Sequence, residues 1–220
     1  MYIPIFLWLY LRCSLKLRKE MLVVSTVVAI ISPLSSYLWW NKDWWLPPSI
    51  LGGQNYTYIF APEDVLLGFL FGGISAVIYE ALFAKKVLPV QKVRSNLFGA
   101  VVVISLLCCS ICFYFFNLNS FYSIIVAMIS TVLLIVYSRE DLLKSSFYSG
   151  ILTLLILLPF YTIIYILDPQ WAWITYKYDF LFGFNIFGFP IEEFIFWFFY
   201  GAAIGPLYEY TKGWGFSDTR

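Results

Sequence analysis

The sequence predicts an all-α polytopic membrane protein of about seven transmembrane helices, laid out as two parallel three-helix repeats joined by a linker helix. Three observations carry this. Of 220 residues, 61% are hydrophobic and 12% charged, about half the charge of a typical soluble domain, too little to coat a water-facing surface. Six apolar runs are long enough to cross a bilayer. A segment joining Pro to a pair of acids occurs twice, each time opening an aromatic, glycine-bearing run.

The runs are 21–40, 63–84, 97–116, 121–137, 146–167 and 191–210. A shorter opening run, 2–11, spans only if it continues to about Leu17 with Arg12 snorkelling toward the headgroups. Its basic residues follow rather than precede it, the reverse of a secretory signal. With seven helices counted, the connections after helices 1, 3, 5 and 7 carry all but two of the 14 basic residues, namely Arg12, Lys16, Arg18, Lys19, Lys85, Lys86, Lys92, Arg94, Arg139, Lys144, Lys212 and Arg220. The positive-inside rule then puts the N-terminus outside and the C-terminus in the cytoplasm of an integral cell-membrane protein. Lys42 and Lys177 remain on the other side, where Trp39, Trp40, Trp44, Trp45, Trp171 and Trp173 are expected as an interfacial belt.

The internal repeat sets the domain organisation: a first unit over 1–90, a linker helix over 91–118 and a second unit over 119–220. Pro33 leads to Asp43, and Pro159 leads to Asp168 at nearly the same spacing. Ile59-Phe60-Ala61-Pro62-Glu63-Asp64 then corresponds to Ile186-Phe187-Gly188-Phe189-Pro190-Ile191-Glu192-Glu193, and an interval of 17 residues separates Glu63 from Glu80 and Glu192 from Glu209. Two three-helix units joined directly would be inverted; the extra crossing makes them parallel, so corresponding residues sit at matching depth.

Glu63, Asp64, Glu192 and Glu193 are the candidate catalytic residues. Acids in a first helical turn after Pro also suit the helix dipole, but their repetition beside aromatic helices points to a bundle interior. Adjacent residues on a helix diverge by about 100°, so the partners are expected across the pseudo-two-fold axis rather than within one motif. Phe196 and Trp197, among the aromatics of the last helix, offer a π-rich surface for a cation. Asp43 and Asp168 are matched by the repeat and are assigned to the mouth of the site, where they would contact substrate. Glu80 and Glu209 recur as well, at helix ends where water is expected to reach them. Gly68, Gly72 and Ala76 read as a helix-contact stripe.

Several classes of chemistry are set aside. The chain has no His, which removes the commonest metal ligand and general base. Cys13, Cys108, Cys109 and Cys112 lack the context of a redox or metal pair, and three of them lie in an apolar run where sulfur simply packs. No G-x-G-x-x-G follows a strand, so no cofactor is expected, and nothing supports nucleic-acid binding. A retinal-binding protein would need a Lys in the last helix, and 191–210 has none.

Phe189-Pro190-Ile191-Glu192-Glu193-Phe194-Ile195-Phe196, with the degenerate copy Pro62-Glu63-Asp64, resembles the P-x-E-E signature of membrane-integral lycopene cyclase domains. The resemblance implies a carotenoid cyclase acting on an apolar polyene within the lipid bilayer. In that family a proton added to a terminal double bond gives a tertiary carbocation, the neighbouring double bond closes a six-membered ring, and loss of a proton ends a non-redox isomerisation. It assigns the acid to Glu192 or Glu193, with Glu63 and Asp64 stabilising the cation or taking the last proton. Some members are heterodimers of two half-sized subunits, so a homo- or hetero-oligomer is among the expectations. A proton-coupled transporter and a non-catalytic partner subunit are the alternatives.

Overall fold

A computed structural model describes residues 2–49, 61–90 and 97–217; Ile59, Phe60, Lys92, Arg94 and Arg220 lie outside the described residues. The chain is mostly helical, with five helices among the described residues long and apolar enough to cross a membrane.

Helix α1 is Tyr2–Arg12, an 11-residue helix about 17 Å long, well short of a hydrocarbon core of about 30 Å. It does not continue to Leu17. The chain breaks at Cys13, and the Arg18 guanidinium donates to the carbonyls of Cys13 and Leu11, both at 2.9 Å. A cation on the last carbonyls of a helix satisfies acceptors that have no partner within it. Helix α2, Leu15–Ser35, then starts on Ser14 and carries Pro33 inside it. Proline lacks the N–H that would continue the ladder. Just beyond it the helix widens into a π-turn over Ser36–Trp40 and ends at Asn41–Asp43.

Helix α3, Pro62–Leu82, opens with Pro62, Glu63 and Asp64 in its first turn. The expected glycine stripe packs on α2. A Cβ on Gly68 would lie 2.8 Å from the Val28 carbonyl oxygen, and one on Gly72 2.8 Å from Val28 Cβ. Without a hydrophobic drive between helices in lipid, such close approach is what holds them together. The same arrangement recurs between α6, Leu143–Leu167, and α8, Ile191–Ile204. There a Cβ on Gly201 would lie 2.5 Å from Thr153 Oγ1 and 2.6 Å from the Ser149 carbonyl oxygen. Gly201→Ala should therefore destabilise the protein by roughly 1 to 3 kcal/mol through overpacking, read as a lower melting temperature in detergent. A Gly99→Ala control, where a Cβ meets nothing, should leave it unchanged.

Helix α4, Leu97–Tyr114, is apolar on all sides and mostly exposed, as suits a helix facing lipid. Helix α5, Ser120–Ser138, is capped by the Asn119 side chain, which accepts from Phe121 N at 2.7 Å. The short helix α7, Trp171–Thr175, follows α6. Strands β2, Asn185–Ile186, and β3, Phe189–Pro190, then form a hairpin. Its two turn residues, Phe187 and Gly188, both have positive φ (49° and 78°), as the tightest hairpin turns require.

The last expected span, 191–210, is interrupted. Helix α8 is 14 residues long, and Gly205 and Pro206 separate it from α9, Leu207–Lys212. A proline that cannot continue the ladder, beside a flexible glycine, ends the helix there. Beyond α9, strand β4, Trp214–Ser217, pairs antiparallel with β1, Lys86–Pro89. Arg139 Nη2 donates to the Trp214 carbonyl at 2.8 Å and pairs with Asp141 at 2.6 Å, while Lys16 lies over the Trp214 ring. Connections carrying Lys16, Lys86, Arg139 and Lys212 are thus gathered at one end of the bundle. At the opposite end Lys177 Nζ donates to the carbonyls of Asn41 and Lys42, and Trp45 pairs with Tyr176 in an isolated bridge.

The tryptophans expected at the interface are largely packed inside. Trp39 and Trp44 are only 3% and 2% exposed, and Trp173 alone of the six stands well out, at 60%. Trp40, the last residue of the π-turn, and Trp44 just beyond it meet Phe196 at 5.8 and 5.0 Å between ring centres.

Candidate functional site

Helices α2, α3, α4, α5 and α8 enclose a cavity of about 170 Å³. Its lining is mostly apolar, with Asp64 from α3 and Glu193 from α8 as the two carboxylates among the described residues that line it. Each sits in the first turn of its helix, so a Pro-initiated helix in each half delivers one acid to the same space. The other member of each pair is not part of the lining. Adjacent side chains on a helix diverge, and only the second acid of each motif points inward.

Glu193 is embedded in donors. Tyr161 from α6 donates its hydroxyl to Glu193 Oε2 at 2.9 Å, and Trp197 Nε1 donates to that hydroxyl at 3.0 Å. Tyr161 is itself clamped by Phe189, whose ring stacks on it at 4.3 Å. The Tyr176 phenol lies beside the same carboxyl group. Burial first, and the neighbouring Glu193 charge second, hold that phenol well above its usual titration range. Tyr178, for the same two reasons in the same order, is pushed up to about 12; its hydroxyl donates to the Gly188 carbonyl. Both phenols therefore stay protonated.

Asp64 faces Ser36, the first residue of the π-turn. An acid on the Pro-initiated helix thus faces a hydroxyl carried just after the proline of the long helix packed on it, Ser36 after Pro33 of α2 and Tyr161 after Pro159 of α6. Sequence reasoning stops at those prolines and misses the hydroxyls, although their recurrence two or three positions later is a visible signal.

Glu192 is buried but turned into the loop, where Oε1 accepts from the Phe182 amide. It ties the segment before the β2–β3 hairpin to the start of α8. Glu63 lies next to Asp64, outside the lining. Phe196 and Trp197 do line the cavity, together with Trp40, Trp44, Phe71 and Tyr200, and Phe71 meets Trp197 at 4.3 Å. Asp43 and Asp168 are elsewhere. Both Asp43 carboxylate oxygens accept from Ser120 N at 3.1 Å, fastening the end of α2 to the start of α5. Asp168 Oδ1 accepts from Gln170 N at 3.1 Å in an exposed turn.

A second group of acids lies at the end of the bundle closed by β1 and β4. Glu80 and Glu209 are not open to water: they are 1% and 0% exposed, and Glu20, which no sequence pattern singles out, is 0%. The β-strand pair and the Arg139–Trp214 contact close that end over them. Ser145 donates to Glu80 Oε1 at 3.4 Å. The carboxyl groups of Glu20 and Glu209 face each other. Among the described residues no group of acids and thiols is arranged to hold a metal ion. Cys13 is nearby, and burial, then the Glu80 charge, push its thiol up to about 11, so it packs rather than reacts.

Residues 119–211 match a family model described as lycopene cyclase. The matched segment runs from the cap of α5 into α9, and so contains Tyr161, Tyr176, Glu192, Glu193, Phe196 and Trp197 but not Asp64. No curated protein and no solved structure matches the chain.

Proposed function

From the match of residues 119–211 to the lycopene cyclase family model, we propose that the chain is a member of that family and an integral-membrane carotenoid cyclase, an isomerase that closes a terminal six-membered ring on an apolar polyene by carboxylic-acid protonation. The observation that carries this reading is the placement of Asp64 and Glu193, one from each half of the chain, in a single apolar cavity walled by aromatic rings.

Glu193 is the acid. It gives its proton to the terminal double bond, leaving a tertiary carbocation on the substrate and a carboxylate on the protein. The hydroxyl of Tyr161, polarised by Trp197, already points at Oε2 and stabilises that carboxylate as it forms without reorganising, which lowers the barrier. Phe71, Phe196, Trp197 and Trp40 present ring faces and edges to the cation. The neighbouring double bond then attacks it, a carbon–carbon bond closes the ring, and the positive charge moves to a second tertiary carbon. Asp64, as the carboxylate, balances that charge and removes the final proton. Return of the proton from Asp64 to Glu193 completes the cycle. Atoms and electrons balance with no oxidant and no reductant.

The two units 1–90 and 119–220, with the linker 91–118, serve in this reading as pseudo-equivalent halves each supplying one acid. The start of the family match at residue 119 and the like packing of Gly72 on Val28 and Gly201 on Thr153 support that division. The end holding Lys16, Lys86, Arg139 and Lys212 is assigned to the cytoplasm by the positive-inside rule, which leaves the N-terminus and the carboxylate motifs toward the outer leaflet.

The test is pigment analysis of a lycopene-accumulating host expressing the chain, with membrane levels of the protein checked. A product with one or two terminal rings is expected. Unchanged lycopene beside well-expressed protein would overturn the reading.

A further inference from the structure

The cavity of about 170 Å³ is close to the roughly 150 Å³ that holds a single benzene ring. One ring-forming end fills it, so the remainder of a long apolar chain has to leave through the wall. In that wall α2 packs along α3, α4 along α5 and α5 along α8, whereas α2 and α4 share no extended packing although both line the cavity. Helix α4 is anchored at its two ends. Near its C-terminus the Tyr114 hydroxyl donates to the Leu38 carbonyl at 2.9 Å and accepts from Lys42 Nζ at 3.0 Å. Near its N-terminus Phe98 meets Tyr208 at 6.4 Å, and Val101 packs with Leu207.

Between these anchors, Val27 and Ile31 on α2 and Val102, Ser105 and Leu106 on α4 line the cavity and are only half-buried. The same side chains thus touch the cavity and the outside of the bundle. The flanking faces are apolar and exposed, with Ile30 at 52% and Val103 at 53%, as a lipid-facing rim requires.

We propose that the seam between α2 and α4 is a lateral portal, through which one end of a long apolar isoprenoid chain enters from the bilayer while the rest of that chain stays in lipid. This rests on the cyclase reading and adds the route and the stoichiometry. A substrate with two reactive ends has to withdraw and re-enter reversed, so the singly cyclised product is released between the two reactions. The hydroxyls of Ser105 and Thr131 meet across α4 and α5 and hold α4 to its other neighbour.

The experiment compares the full chain in lipid nanodiscs with Val27→Phe/Leu106→Phe, which fills the seam, and with Ile104→Phe, on the exposed face of α4. The probe is diphenylhexatriene, a rod-shaped apolar polyene. Trp40, Trp44 and Trp197 line the cavity, so probe held there quenches their fluorescence in a saturable step above the background from lipid. Wild type and Ile104→Phe should show that step and the filled-seam variant should lose it. In the lycopene-accumulating host the same variant should lose cyclic product more than about tenfold, since misplacing a reacting group costs at least that much.

Equal saturable quenching in a monodisperse filled-seam variant would overturn the portal. Should that variant fail to fold, Val27→Ala/Leu106→Ala widens the seam and should reach saturation at lower probe concentration; no change would overturn the proposal equally. Quenching lost in the filled-seam variant, with no ring formed by wild type, would keep the portal and sink the cyclase reading.

Discussion

Glu193→Gln should abolish ring formation, leaving the acyclic pigment at the level of a host without the protein. Glutamine keeps the size of the side chain and still accepts the Tyr161 hydroxyl through its carbonyl oxygen, so the cavity should persist while the transferable proton is gone. General acid catalysis contributes about 10² to 10⁴ in rate, and protonating an isolated double bond, the hardest step here, belongs at the upper end of that range. Pigment extraction with membrane levels matched is the measurement. Tyr161→Phe provides the graded comparison: it leaves the acid in place but removes the donor that stabilises the carboxylate, and a loss of about 10² is expected by analogy with removing one oxyanion-hole donor. Cyclic pigment at wild-type levels from Glu193→Gln would overturn the assignment of the acid.

Asp64→Asn and Glu63→Gln should separate sharply although the residues are adjacent. Asp64 lines the cavity and Glu63 does not. In the proposed cycle, removing the Asp64 carboxylate takes away both the countercharge to the cation and the acceptor of the last proton. A loss of about 10² or more is expected, whereas Glu63→Gln should stay within a few-fold of wild type. Glu192→Gln should likewise be mild, because its amide oxygen still accepts from Phe182 N. If Glu63→Gln and Asp64→Asn proved equally damaging, the second acid would be playing no special role and the motif would act through charge at the helix start alone. If Asp64→Asn cyclised normally, the final base would have to be sought elsewhere in the lining.

Much of this site is legible in the amino-acid sequence. Pro62-Glu63-Asp64 and Pro190-Ile191-Glu192-Glu193 stand out because ionisable groups are rare in so apolar a chain, and a helix start after proline fixes where they lie along the axis. The expectation that partners come from different motifs rather than from neighbours follows from helix geometry, and the cavity accordingly receives one acid from each. The residues that orient those acids are harder to see. Tyr161 and Ser36 sit on other helices, and only the approach of α6 to α8 and of α2 to α3 brings them near. Asp43 and Asp168 stand at nearly the same distance from a proline, which suggests a shared role, yet one fastens α2 to α5 and the other closes a turn. Equal spacing along a chain does not carry equal orientation once a π-turn intervenes in one half only.

The buried acids at the opposite end make the same point from the other direction. Glu80 and Glu209 sit near helix ends, where solvent is the ordinary expectation, and Glu20 follows a basic cluster that suggests an exposed headgroup region. What closes them off is a pairing between Lys86–Pro89 and Trp214–Ser217, contributed by segments more than a hundred residues apart. No local pattern announces such a contact.

The sequence alone determined that this is a helical membrane protein, with most of its crossings and the positions of its four motif carboxylates. Those properties follow from composition, run length and residue type, each of which is local. Which acid of each pair enters the cavity, which hydroxyls face it and where α2 and α4 part were decided only by the tertiary structure. Each depends on the rotation of one helix against another to within a fraction of a turn, and that rotation is set by the close packing of Gly68, Gly72 and Gly201 on their partners, contacts between residues that periodicity along the chain does not connect.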